Sequence, residues 1–196
     1  MVMMGEIAEP VAAEDGRSVH LRDFGAWMSA EQKRIFLLCQ RMLQDRDEAD
    51  SAAQDSFLKA YQAMARGGTD VEDAGKWITR IAINTCLDRL RSKKWQFWRR
   101  RPEPQDEAVI LDMAAERRPN AEAQLLAIEI GARLSNALDR LSPRQRAVFT
   151  LRHFEDRSLE NIAEILELDV GTVKAHLFRA VTKLREELRD LYASAA

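Results

Sequence analysis

Cysteine, histidine, glycine and proline are all scarce in this chain, and each scarcity excludes something. Two cysteines among 196 residues, Cys39 and Cys86, are too few and too far apart for a disulfide framework or a zinc site. Both fall in apolar helical patterns and read as small buried thiols. The three histidines, His20, His153 and His176, lack metal-ligand spacing, so no metal is expected. No apolar run approaches the roughly 20 residues that cross a bilayer, and residues 1–17 lack the basic start and apolar stretch of a secretory signal. No membrane insertion and a cytoplasmic location are therefore expected. No nucleophile is spaced with a base and no phosphate-binding glycine pattern recurs, so an enzyme is disfavoured and no cofactor is expected. With only eight Gly and five Pro, breaks are rare, and the abundance of Ala, Leu, Arg and Glu predicts an all-α fold.

What is present is charge, and it is segregated. Net charge is only −2, so there is no global attraction to nucleic acid. Yet residues 89–101 hold seven basic side chains and no acid, and residues 170–185 hold Lys174, Arg179, Lys183 and Arg185, again with no acid. Residues 45–55 carry five acids against Arg46 alone. Such a division suggests one surface for DNA and another for a protein partner.

Periodicity divides the chain into four parts. Residues 1–22 are aperiodic and read as a flexible extension. Residues 23–95 read as a first helical domain. It contains a helix from about Asp23, a second over 48–65 ended by Gly67-Gly68, and a third over about 76–95 with Trp77, Ile78, Ile81, Ala82, Thr85, Cys86 and Leu90 as its buried stripe. On the opposite face of that third helix Lys76, Arg80, Asn84 and Asp88 recur every four residues. Residues 96–120, with Pro102, Pro104 and Pro119, read as a linker. Residues 121–192 form a second helical domain: an amphipathic helix bearing Leu125, Ile128, Ala132, Leu134, Leu138 and Leu141, then a helix opened by Ser142-Pro143.

Residues 158–188 read as a helix-turn-helix. Ser158 caps a helix with Leu159, Ile162, Ala163, Ile165 and Leu166 inward. A turn near 167–169 leads to a second helix that buries Val173, Leu177, Ala180, Val181 and Leu184. Its outward residues are Thr172, Lys174, Ala175, His176, Phe178 and Arg179, which mix guanine or phosphate donors with groups suited to a thymine methyl. Any amphipathic helical hairpin can mimic this pattern, so a stand-alone DNA-binding regulator with a ligand-sensing first half remains an alternative.

Two separated motifs carry a resemblance. Leu141-Ser142-Pro143-Arg144-Gln145-Arg146, Leu159-Glu160-Asn161-Ile162-Ala163 and the run 171–180 resemble region 4 of extracytoplasmic-function sigma factors of the sigma-70 family. The segment Gln54-Asp55-Ser56-Phe57-Leu58-Lys59-Ala60-Tyr61 and the run 77–91 resemble region 2. The resemblance implies a non-enzymatic subunit that joins bacterial core RNA polymerase and directs it to promoter DNA, under the control of an anti-sigma factor. It implies that Asp50, Gln54, Asp55 and Phe57 dock on the clamp helices of the largest subunit. Arg80, Ile81, Asn84, Asp88 and Arg91 would meet the melted −10 element. Thr172, Lys174, Ala175, His176, Phe178 and Arg179 would meet the −35 duplex. Lys93, Lys94 and Arg99–Arg101 would add attraction to phosphate, and Arg144 and Arg146 would lie near the polymerase flap or the DNA backbone. The chain departs from the family in the loop 67–75, which lacks the usual aromatic and Ser/Arg-rich residues, and at His176, where Arg is frequent. Trp77, Ile81 and Phe57 also fit a plain core role.

Overall fold

The computed structural model describes residues 23–66, 73–99 and 121–189, apart from the side chains of 93–99 and 121–129. The expected extension, the glycine pair after the second helix, Leu125, Ile128 and the basic side chains beyond Ser92 lie outside what is described. Every regular element among the described residues is helical: α1 (Phe24–Leu43), α2 (Arg46–Ala65), α3 (Ala74–Arg99), α4 (Ala121–Asp139), α5 (Pro143–His153), α6 (Leu159–Leu166) and α7 (Val170–Glu187).

Capping side chains fix most of the helix starts by satisfying amides that have no partner within the helix. Asp45 accepts from the Glu48 amide at 2.9 Å and opens α2, with Asp47 and Glu48 placed favourably against the helix dipole. Asp73 accepts from the Lys76 amide at 2.7 Å at the head of α3. Ser142 and Gln145 form a reciprocal capping box around Pro143. Ser158 caps α6 at 3.1 Å and Asp169 caps α7 at 2.8 Å. The helix of the third predicted segment starts slightly earlier and runs past Trp95 to Arg99, into the stretch expected as linker.

Helices α1, α2 and α3 pack on one another around Ile35, Leu38, Cys39, Met42, Ile78, Ile83 and Cys86, all fully buried. Aromatic rings close one end of this bundle. Trp27 lies edge-on to Phe24 at 5.4 Å and to Phe57 at 6.0 Å, and stacks with Trp77 at 6.5 Å between centroids. In the second half, α7 packs on α5, α6 and α4, and Ala137, Leu138, Leu141, Ala180 and Leu184 form a small cluster of their own. The main core does not stop at the boundary between halves. Ala147, Val148, Leu151, Ile162 and Ile165 belong to the same continuous cluster as Leu38 and Ile78. The second half packs through α5 and α6 onto α1 and α3. That contact explains why Thr79 and Ile83, outside the expected stripe, are fully buried: α3 is covered over more of its circumference than a three-helix bundle requires.

Both cysteines are fully buried, as expected. Their mutual hydrogen bond, together with burial, drives the Cys86 thiol far above its ordinary pKa, so it stays protonated and unreactive.

Candidate nucleic-acid and polymerase interfaces

Three surfaces hold the residues singled out by the sequence. The first is α3. Arg80, Asn84, Asp88 and Arg91 are exposed along one side, and Ile81 is partly buried against the core. Asp88 and Arg91 pair with each other at 3.3 Å on the open surface, a contact of little energetic weight. The head of the polar row is occupied: Lys76 pairs with Glu164 and Arg80 with Glu167, both carboxylates belonging to the helix-turn-helix. Asn84 is exposed, and no such pairing covers it among the described residues. An amide beside cations can read the edge of an unstacked base.

The second surface is α7. Asp169 holds the first turn by accepting from the Thr172 amide and from its hydroxyl, the latter at 2.5 Å. Those two bonds keep the Asp169 carboxyl below its ordinary pKa and tie the Thr172 side chain to the cap. Lys174, Phe178 and Arg179 are exposed, and Thr172, Ala175 and His176 are half-buried. Phe178 is 73% exposed, a large apolar ring left open among the described residues. Burial, Arg179 and Arg144 hold His176 below its ordinary pKa. Its ring is therefore neutral at pH 7, and Nδ1 is buried with no hydrogen-bond partner among the described residues. Arg144 is exposed on α5. Arg146, expected near the flap or the DNA backbone, is instead 4% exposed. It donates to the Met42 carbonyl at 2.7 Å and to Asp139 at 2.9 Å, because α5 turns that side toward α1.

The third surface is the outer side of α1 and α2. Asp50 and Gln54 are exposed and joined by a 2.8 Å bond from the Gln54 amide. They stand on the rim of a groove of about 650 Å³ whose apolar lining comprises Phe24, Met28, Phe36, Phe57, Leu58 and Tyr61. Phe57 is 5% exposed and is a floor residue. Asp55 does not share this surface: it faces α3, where Arg89 pairs with it and with Glu48 and donates to Ser51. Leu58 and Tyr61, 54% and 46% exposed, are the groove residues that sequence reading left out. Their helical spacing from Gln54 put them on its side of α2, and the signal was their apolar character on an otherwise polar stretch.

Two known families match the chain, one in each helical half. Sigma-70 region 2 matches residues 27–96, and Sigma-70, region 4, matches residues 131–184. The ECF RNA polymerase sigma factor SigW of Bacillus subtilis is 31% identical over 163 residues, covering 81% of this chain and 84% of that protein. The chain belongs to the extracytoplasmic-function sigma factors. The RNA polymerase sigma-H factor of Pseudomonas aeruginosa is similar as well, 32% identical over 180 residues, with 89% and 90% of the two chains covered. In fold the chain is similar to the sigma factor RpoE solved with the anti-sigma factor NepR from Bartonella quintana. The TM-score is 0.66 at 19% identity, with 86% of this chain and 98% of that one covered. It is also similar to CnrH solved with the cytosolic domain of CnrY, with a TM-score of 0.58 at 21% identity, covering 86% and 89%. A stand-alone helix-turn-helix regulator accounts only for the second match and leaves the first without a reason. The chain is thus a sigma factor, an initiation subunit that lends core RNA polymerase its promoter specificity. Among the described residues no helix is long and apolar enough to cross a membrane, and no group of three or more His, Cys, Asp or Glu is placed to hold a metal ion.

Proposed function

We propose that this sigma factor divides promoter readout between α3 and α7 and supplies no catalytic step of its own. The observation that carries this reading is the occurrence of both family regions, each presenting an outward row of polar and cationic side chains on one helix. On α3, Arg80, Ile81, Asn84, Asp88 and Arg91 meet the −10 element once its strands part. On α7, Lys174, Phe178 and Arg179 meet the −35 duplex, with Thr172, Ala175 and His176 beside them. Asp50 and Gln54 on the rim of the α1–α2 groove dock on the polymerase clamp helices, with Leu58 and Tyr61 as apolar contacts. Asp55 supports that surface through Arg89. An anti-sigma factor restrains the protein. Support for this comes from two proteins of similar fold, RpoE, which is solved with NepR, and CnrH, which is solved with the cytosolic domain of CnrY.

The test is transcription with purified core polymerase on a promoter library, where defined start sites are expected only when the protein is added. Within that assay, Arg179→Ala is expected to lose about 1–3 kcal/mol per base contact, read as a loss of −35 preference. Asn84→Ala is expected to impair promoter opening with polymerase binding intact. Normal permanganate reactivity of the −10 thymines in that variant would remove Asn84 from the reading set.

A further inference from the structure

Leu58 and Tyr61 stand half exposed on α2, and they line the same groove as Met28 and Phe36 of α1, with the Phe57 ring as floor. Two of the four large apolar side chains left exposed among the described residues thus fall in one groove. Apolar surface gathered in this way marks a place that something covers.

The chain itself supplies a cover. Helix α1 begins at Phe24, and Phe24 lines the groove, so the 23 residues before it are tethered at the groove's edge. Within the first eleven stand six apolar side chains larger than alanine: Met1, Val2, Met3, Met4, Ile7 and Val11. Three are methionines, whose unbranched side chains fill irregular gaps. Residues 1–16 also carry Glu6, Glu9, Glu14 and Asp15 and no Lys or Arg, whereas the α1 rim of the groove exposes Lys33. Reach is sufficient. The groove follows α1 from Phe24 to Phe36, about 18 Å at a rise of 1.5 Å per residue, and residues 12–23 span about 40 Å when extended. A tether this short holds its far end at an effective concentration on the order of millimolar. Docking too weak for a free peptide therefore suffices here.

We infer that residues 1–11 occupy the α1–α2 groove, with their apolar side chains over Phe57, Leu58 and Tyr61 and their acids toward Lys33. The segment then covers the face assigned to the polymerase clamp helices, and polymerase must displace it. That consequence rests on the proposed docking role of Asp50 and Gln54, whereas the occupancy itself does not.

A nitroxide at Ala8→Cys in the full chain tests the occupancy, since Cys39 and Cys86 are fully buried and escape labelling. The methyl signals of Met28 and Leu58 are expected to broaden, and those of Leu184, in the separate cluster of the second half, to stay sharp. Met3→Ser, Met4→Ser and Ile7→Ser, made together, remove the apolar contacts without changing charge and should sharpen Met28 and Leu58 again. The same triple variant should bind core polymerase about two- to tenfold more tightly, the gain for a groove covered between half and nine-tenths of the time. Sharp Met28 and Leu58 signals in the nitroxide-bearing chain would overturn the inference. So would equal broadening in a mixture of nitroxide-bearing and isotope-bearing molecules, which would assign the groove to a second copy of the chain. Broadening within one chain, without the gain in polymerase affinity, upholds the occupancy and removes the groove from the polymerase interface.

Discussion

Helices α1–α3 are closed by large rings, with Phe24, Trp27, Phe57 and Trp77 meeting edge to face or stacked. Helices α5–α7 bury smaller aliphatic groups such as Val148, Leu151, Ile162 and Val173. The lengths differ too. The first three helices span 20, 20 and 26 residues, whereas α6 has eight, too few to persist alone in water. The first half can draw its stability from long packed faces. The second depends on capped ends and on the neighbour it leans against. A reading helix that must enter a groove benefits from such a scaffold, because α7 can be presented without burying its outward side chains.

The sharpest way to break this comparison is Leu151→Ala. Leu151 is fully buried in the core shared by both halves, and truncation there is expected to cost about 2–5 kcal/mol. Urea unfolding should then shift as one transition, with the fluorescence of Trp27 and Trp77 moving together with the far-ultraviolet signal. A variant that loses helix while the tryptophan signal stays in place would show that the first half stands without the second.

A smaller effect sharpens the contrast between capped and packed helices. Ser158→Ala removes the acceptor for the Asn161 amide at the start of α6 and is expected to cost about 1 kcal/mol. Asp45→Ala makes a comparable deletion at α2, but that helix keeps a long buried face and should fray only at its first turn. Hydrogen exchange distinguishes the two: amides throughout α6 should lose protection in Ser158→Ala, against the first turn alone of α2 in Asp45→Ala.

The same contrast decides what could be read from the sequence. The caps Ser142 and Ser158 stood before clear apolar runs and gave the starts of α5 and α6 directly. Asp45 did not, because Asp47 and Glu48 compete with it for the same role and only geometry selects one. The outward row of α3 was legible from its four-residue spacing. Its partners Glu164 and Glu167 were not, since nothing local links them to positions more than eighty residues away. Arg146 shows the same limit. Its motif placed it among exposed cations, and a packing contact between halves buried it. Asp55 and Phe57 lie close in sequence to Gln54, yet α2 turns one toward Arg89 and the other into the core.

The smallest expected effect concerns His176, at the contact between the reading helix and α5. Burial, Arg179 on its own helix and Arg144 on α5 hold it below its ordinary value of 6.5. Because the folded value is the lower one, its contribution to stability is complete above pH 6.5 and is lost as pH falls from there through the folded value. DNA acts in the opposite sense. A phosphate brought beside Arg144 and Arg179 offsets the two charges that disfavour the imidazolium, so binding takes up a proton and tightens as pH falls. The gain is expected to stay below about tenfold per pH unit, the most a single proton allows, and to level off below the free-state value. His153 provides the control. It too is held below its ordinary value, by burial and Arg152, but its ring lies tilted against Phe149 with centroids 4.5 Å apart, and it lies off the outward row of α7. Holoenzyme binding to a −35 duplex, measured between pH 7.5 and 6, should therefore flatten in His176→Asn and keep its slope in His153→Asn. An unchanged slope in the first variant would place the reading surface of α7 away from His176 and leave Lys174, Phe178 and Arg179 to carry it.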